Sequence, residues 1–287
     1  MIVTGAGRGF GRLMALALAQ QGALVLATSG RRQQELTTSC EQVNEAARLA
    51  GRGGRCVGLL ADVASEADCA RTVETAMREF GRVDALVNNA ARGAAEAHPD
   101  FYAAQPKFWT IDPAAYRRMV EANLVGPFQM ARAVAPGMIA QRFGRIVNLS
   151  TSQPTMVMQG LAAYGATKAG LEVNSIVWAK DLAGTGVTVN VLLPGGAADT
   201  ELIPGSGVGT RAMAEFRAGK GPAGDEGRIG GLLPADVIVA PTLWLCADES
   251  GEFTGRRIVG KDWDPELPPA EAAARAMQPQ HAAPRIM

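Results

Sequence analysis

Ile2-Val3-Thr4-Gly5-Ala6-Gly7-Arg8-Gly9-Phe10-Gly11 reads as a short strand that breaks into a glycine turn. Beyond it, Phe10, Leu13, Met14, Ala17 and Leu18 recur at the i, i+3, i+4, i+7, i+8 spacing of an amphipathic helix. Strand, glycine turn and helix together form the context in which such a turn binds a nucleotide. Glycines let the backbone approach a diphosphate, and the helix N-terminus stabilises its charge. The Gly-x-Gly-x-x-Gly spacing does not fit, because Phe10 stands where the third glycine would be. The spacing Thr-Gly-x-x-x-Gly-x-Gly, through Thr4, Gly5, Gly9 and Gly11, does fit.

Working outward, further strands are expected at 23–28, 56–60, 83–87, 144–150, 187–193 and 258–259, with helical stretches between them. Strands alternating with helices predict an α/β chain with a doubly wound parallel sheet of about seven strands and helices on both faces. After the second strand comes Ser29-Gly30-Arg31-Arg32. An acidic residue about 20 positions past the glycines would hold a ribose 2′-hydroxyl of NAD, but the first acidic residue of the chain is Glu35, inside the next helix. Arg8, Arg31 and Arg32 stand there instead. Guanidinium forks pair well with phosphate oxygens, so NADP(H) is favoured, with NAD(H) as the other option. The plainer account has Arg31 and Arg32 opening a solvated helix face.

The third strand closes on Ala61-Asp62-Val63, and Ser65 with Asp68 resembles an N-cap pair. The fourth ends on Asn88-Asn89-Ala90-Ala91, where parallel sheets bind ligands; these amides could equally tie the sheet edge together. Residues 92–110 make a long connection carrying Phe101, Tyr102, Phe108 and Trp109. Asp112 then caps a helix with Pro113 at its first position. On it Tyr116, Val120, Asn123, Leu124 and Pro127 share a face. A buried Asn123 amide must find partners or cost ~1–3 kcal/mol. Gly126-Pro127 points to a bend, since proline removes a backbone donor.

Leu161 to Leu182 is a proline-free run that reads as a buried helix, and it contains Tyr164-Gly165-Ala166-Thr167-Lys168. Tyrosine and lysine at i and i+4 share a helical face, about 5–6 Å apart at Cβ. A phenol titrates near ~10, and an adjacent ammonium lowers that value by favouring the phenolate. The pair can therefore give and take a proton near neutral pH. The bland alternative is a core tyrosine beside a lysine that reaches solvent.

Lys+Arg and Asp+Glu are both 28 in 287 residues, so nothing indicates a nucleic-acid partner. Cys40, Cys56, Cys69 and Cys246 lack pairing or metal-ligand spacing, and the histidines are His98 and His281. Neither a disulfide framework nor a metal site is expected. No apolar run reaches the ~18 residues of a membrane span. The expectation is a soluble, cytoplasmic protein.

The ordered set of glycine turn, Asn88-Asn89-Ala90, Asn123, Thr151-Ser152, Tyr164/Lys168 and Pro194-Gly195 resembles the short-chain dehydrogenase/reductase family over roughly residues 2 to 260. The resemblance implies one Rossmann-like domain, 1–263; its glycine-rich segment at about 195–231 is expected to be a substrate lid. The Pro/Ala-rich tail, 264–287, has little to bury and is expected to be loosely ordered or to rest on a neighbouring subunit. The resemblance also implies hydride transfer between NAD(P) and a carbonyl or alcohol. Tyr164 would give the proton, Lys168 would lower its pKa and bind the nicotinamide ribose, and Asn123 would hold a water. Gly5, Arg8, Gly9, Phe10, Gly11, Ser29, Arg31 and Arg32 would bind cofactor along with Asp62 and Val63 at the adenine. Asn89, Ala90, Ala91, Pro194, Gly195 and Thr200 complete that set.

Two departures stand out. The family serine falls thirteen residues before the tyrosine, which here is Thr151, with Ser152 as the alternative. Gly260-Lys261-Asp262-Trp263 replaces the Asp-Gly-Gly of many relatives. A different functional class, a cofactor-binding regulator without turnover, would typically lack the tyrosine or lysine. Phe101, Trp109, Met156 and Met158 point to a partly apolar pocket. A homodimer or homotetramer is expected through Met130, Val134, Ala166, Ala169, Val173 and Val177.

Overall fold

The computed structural model describes residues 1–98, 101, 105–198, 200, 202 and 233–278. Strand β1 (Ile2–Val3) pairs in parallel with β2 (Leu24–Ser29) on one side and β4 (Ala85–Asn88) on the other. Beyond them lie β3 (Arg55–Leu60), β5 (Gly144–Leu149), β6 (Val187–Leu193) and β7 (Arg257–Val259), in the order β3-β2-β1-β4-β5-β6-β7. All ladders among these strands are parallel. Strand order reverses at β1, so a crevice opens between the carboxyl ends of β1 and β4.

Helices cover both faces, which explains why β4, β5 and β6 are buried throughout. On one face, α1 (Gly9–Gln20) contributes Met14 and Leu18, and α2 (Gln33–Ala50) contributes Leu36 and Val43. Helix α8 (Val239–Leu245) adds Trp244 and Leu245 to the same core. On the other face, α3 (Glu66–Phe80), α5 (Gly126–Ala140) and α7 (Ala162–Asp181) supply Cys69, Ala76, Met130, Val134, Met138 and Ala179. Met130 and Val134 are thus core residues, contrary to the expectation that they face a partner subunit; the helix turns them onto the sheet. No helix among the described residues is long and apolar enough to cross a membrane.

Ser65 caps α3 by accepting from Asp68 N, as its spacing indicated. Asp68 does not return the bond to Ser65; it accepts instead from Asp62 N at 2.8 Å. Asp112 accepts from Ala114 N and Ala115 N at the start of α4 (Pro113–Val120). Tyr116 is exposed, and Ala115 and Met119 are the residues α4 turns inward. Between α4 and α5 the chain does not break: Glu121–Val125 widens into a π-helical turn, with Gly126 N bonded to Glu121 O. Pro127 falls one residue later, where the next helix can begin without its N–H.

The segment expected to have little to bury forms α9 (Pro269–Ala276), with Ala272, Ala273 and Ala276 buried, and Met277 bridges Ile258 antiparallel. Three small residues make a flat face that lets a helix sit close, a feature that average polarity hides. The lid expected at about 195–231 lies mostly outside the described residues, as do Tyr102 and His281.

Candidate active site

A cleft of about 1120 Å³ opens at the carboxyl ends of the strands. Its floor is the glycine turn, where Gly5 and Gly9 adopt positive φ (65° and 53°), a region that favours glycine. A Cβ on Gly5 would stand 2.8 Å from Ala90 Cα. Gly11 does not line the cleft; a Cβ there would meet Gly5 O at 2.3 Å and Asn89 Nδ2 at 2.6 Å. It is glycine so that α1 can lie against the turn. The first turn of α1 has no side-chain cap and no acidic residue, so its amides suit a diphosphate. Gly5, Arg8, Gly9, Phe10, Ser29, Arg31 and Arg32 all line the cleft, as do Asp62 and Val63. These features fit a dinucleotide.

Glu35 lines the same rim. Its carboxylate accepts from Arg32 Nη1 at 2.6 Å and lies 3.7 Å from Arg8 Nε. Two of the three arginines singled out in the sequence thus share a carboxylate.

The asparagines at the carboxyl end of β4 divide the two roles open to them. Asn88 is buried and donates to Asn148 Oδ1 at 2.8 Å, while Asn148 donates to Ser175 Oγ, tying β4, β5 and α7 together. Asn89 donates to Thr4 O and Gly5 O, bracing the glycine turn, and with Ala90 and Ala91 it lines the cleft. Asn123, fully buried in the π-helical turn, is behind the wall. Its Oδ1 accepts from Arg92 N at 2.7 Å, and its Nδ2 donates to Arg92 O at 3.0 Å. Both amide atoms are used, as burial requires.

At the end of β5, Thr151 faces the cleft and Ser152 does not. Ser152 caps the short helix α6 (Gln153–Met156), its Oγ accepting from Thr155 N. Opposite Thr151, α7 places Tyr164 and Lys168 on the cleft wall, with Lys168 Nζ 5.8 Å from the centre of the Tyr164 ring. Lys168 Nζ donates to Leu149 O at 2.7 Å. Burial pushes the ammonium down to about 8, partly opposed by the Glu172 carboxylate. Pro194 and Thr200 line the cleft; Gly195 turns behind it at φ 95°, where a Cβ would strike Val259 and Lys261. Phe101, Met158 and Leu161 pack beside Tyr164 as an apolar wall. Trp109 and Met156, expected in that pocket, are not on it, and Trp109 is 70% exposed.

Sequence reading missed Glu172, Arg257 and the Arg92 backbone. Glu172 had a signal, lying four residues past Lys168 on the same helical face. Arg257 and Arg92 had none, since their contacts come from distant segments.

The family model described as short chain dehydrogenase matches residues 1–206. A 3-oxoacyl-(acyl-carrier-protein) reductase of Escherichia coli K12 is 32% identical over 258 residues, covering 90% of this chain and 93% of that protein. A short-chain type dehydrogenase/reductase of Picea abies is 29% identical, covering 90% and 89%. Among solved structures, a protein described as a putative short-chain alcohol dehydrogenase of Sinorhizobium meliloti superposes with TM-score 0.71 at 26% identity, covering 90% of this chain and 93% of that one. With a family model over residues 1–206 and a relative 32% identical along nine-tenths of the chain, the chain belongs to the short-chain dehydrogenase/reductase family.

Proposed function

We propose that the protein is an oxidoreductase that moves a hydride between NADP(H) and a carbonyl or secondary alcohol. One observation carries the reading: the buried Lys168 ammonium stands beside the Tyr164 ring in a cleft that Thr151 also faces. Bound nicotinamide would supply hydride to the carbonyl carbon, or accept it from the alcohol. Tyr164 holds the proton at its phenol oxygen and delivers it to the substrate oxygen. Lys168 favours the phenolate left behind. The Thr151 hydroxyl donates a hydrogen bond to the same substrate oxygen. Asn123, pinned to Arg92, fixes the backbone that leads from β4 into the cleft; with its amide committed there and lying behind the wall, it positions that backbone rather than holding a water itself. The apolar wall of Phe101, Met158 and Leu161 suits an acyl or alkyl chain, and the relatives' names make 3-oxoacyl thioesters the first carbonyls to try.

The test follows absorbance of the reduced nicotinamide against a carbonyl panel that includes 3-oxoacyl thioesters. Tyr164→Phe keeps the ring and removes the transferable proton, so kcat falls by ~10²–10⁴ while cofactor affinity holds. Near-normal turnover in that variant would sink the assignment.

For the cofactor, the cluster of Arg8, Arg31 and Arg32 supports NADP(H) over NAD(H). Exposed ion pairs such as Arg32–Glu35 are worth ~0–1 kcal/mol, so a 2′-phosphate competes for these guanidinium groups. Arg31→Ala with Arg32→Ala weakens NADPH roughly ten- to hundredfold, the scale of charged hydrogen bonds, and NADH far less. Glu35→Gln tightens NADPH. Equal losses for both cofactors in the titrations would mean that the arginines do not read the phosphate. The four free cysteines accord with a cytoplasmic setting.

A further inference from the structure

Leu149, Ser150 and Thr151 are three successive residues where β5 enters the cleft, and each is held by a different charged side chain. Lys168 Nζ donates to Leu149 O at 2.7 Å. Ser150 Oγ donates to Glu172 Oε1 at 2.6 Å. Arg257 Nη2 donates to Thr151 O at 2.9 Å. The last two holds form one unit, because Arg257 Nε meets both Glu172 oxygens at 3.0 Å. Arg257 opens β7 opposite Val191 of β6, so its guanidinium reaches across a whole strand to β5. The remaining nitrogen, Nη1, donates to Gln278 Oε1, and Gln278 N donates to Arg257 O. Every guanidinium nitrogen is committed, and the Glu172 and Arg257 side chains are each 20% exposed.

A plain account makes this an ion pair that fastens β7 to α7. Two observations go further. The Arg257 fork ends on the carbonyl of Thr151, a residue that faces the cleft, and not on a structural carboxylate alone. Threonine is also stiff at χ1, so its hydroxyl points where its backbone puts it; a serine could rotate to correct an error. We propose that Arg257 and Glu172 are positioning residues that aim the Thr151 hydroxyl at the substrate oxygen. This rests on the oxidoreductase reading above.

Arg257→Lys is the decisive variant. Lysine keeps the charge that pairs with Glu172 but lacks the second fork that reaches Thr151 O. In the full-length chain, melting temperature and NADPH affinity stay near wild type. The kcat falls roughly ten- to a hundredfold, the scale of an ångström's misplacement, with KM changed by less than about threefold. Adding Thr151→Ser to Arg257→Lys recovers part of kcat, because the freer hydroxyl no longer depends on the tether. Glu172→Gln, which keeps an acceptor for Ser150 but loses the ion pair, behaves like Arg257→Lys. Wild-type kcat in Arg257→Lys overturns the inference, as does a loss that Thr151→Ser leaves untouched. If wild type turns over and Tyr164→Phe abolishes it while Arg257→Lys stays normal, this inference alone fails. No turnover by wild type on any carbonyl, with cofactor bound, removes the functional reading and this inference with it.

Discussion

Lys168 shows what burial does to a charge. Only 4% of it is exposed, and its folded-state value is about 8 against an ordinary 10.5. Below pH 8 folded and unfolded chains both hold the proton, and the full cost of burying an ammonium is present. Between about 8 and 10.5 the unfolded chain binds a proton that the folded chain has released. Stability therefore rises with pH across that window. Lys168→Met removes the penalty, so the variant melts above wild type at pH 7 and the gap narrows towards pH 10, as scanning calorimetry of the cofactor-free protein would read. A gap that stays constant or widens refutes it. Tyr164, Lys168 and Thr151 were legible as residues because they lie close in sequence at helical or strand spacing. Arg257 was not: its role is defined by a carbonyl 106 positions away in the chain, and no local pattern marks such a contact.

Helix α7 was legible as an element almost to the residue, since Leu161 and Leu182 flank a proline-free run. One glycine inside it is required by packing. A Cβ on Gly165 would stand 1.8 Å from Met156 O, backbone against backbone, with no side chain able to yield. Gly165→Ala therefore pushes α6 away from α7, costing ~1–3 kcal/mol as overpacking does, and it shifts Tyr164 beside it. Chemical denaturation should show a lower midpoint, and kcat should fall more than NADPH affinity. An unshifted midpoint would show that the two helices can separate freely. Other elements were hidden from sequence. The π-helical turn has the composition of an ordinary helix, and only Pro127 hinted at irregularity. Helix α9 looked like a tail with little to bury because its buried face is made of alanine.

At the scale of the molecule, alternation of strands and helices gave the layered α/β class. The order of strands came only from how helices cross the sheet, with the reversal at β1 setting the cleft. Surface chemistry was read less well, since two residues assigned to a subunit contact belong to the core. On the π-helical turn, α5 and α7, the large apolar residues that stay exposed are Val125, Phe128, Ile139 and Val177. Phe128 and Trp178 have ring centres 6.4 Å apart, so α5 and α7 present one continuous apolar surface. A surface of this kind fits a second copy of the chain. Light scattering at micromolar concentration should give a dimer or tetramer mass, and Phe128→Glu with Val177→Glu should lower it; a monomer mass for wild type rejects the idea. The antiparallel bridge between Ile258 and Met277 has a separate consequence. An open parallel sheet invites another chain to add a strand at its margin and so to polymerise. Here the outer side of β7 is met by a piece of the same chain running the opposite way, with Gln278 N on Arg257 O. Association through the helices can then build a closed particle, while growth by strand addition at that margin is blocked from within.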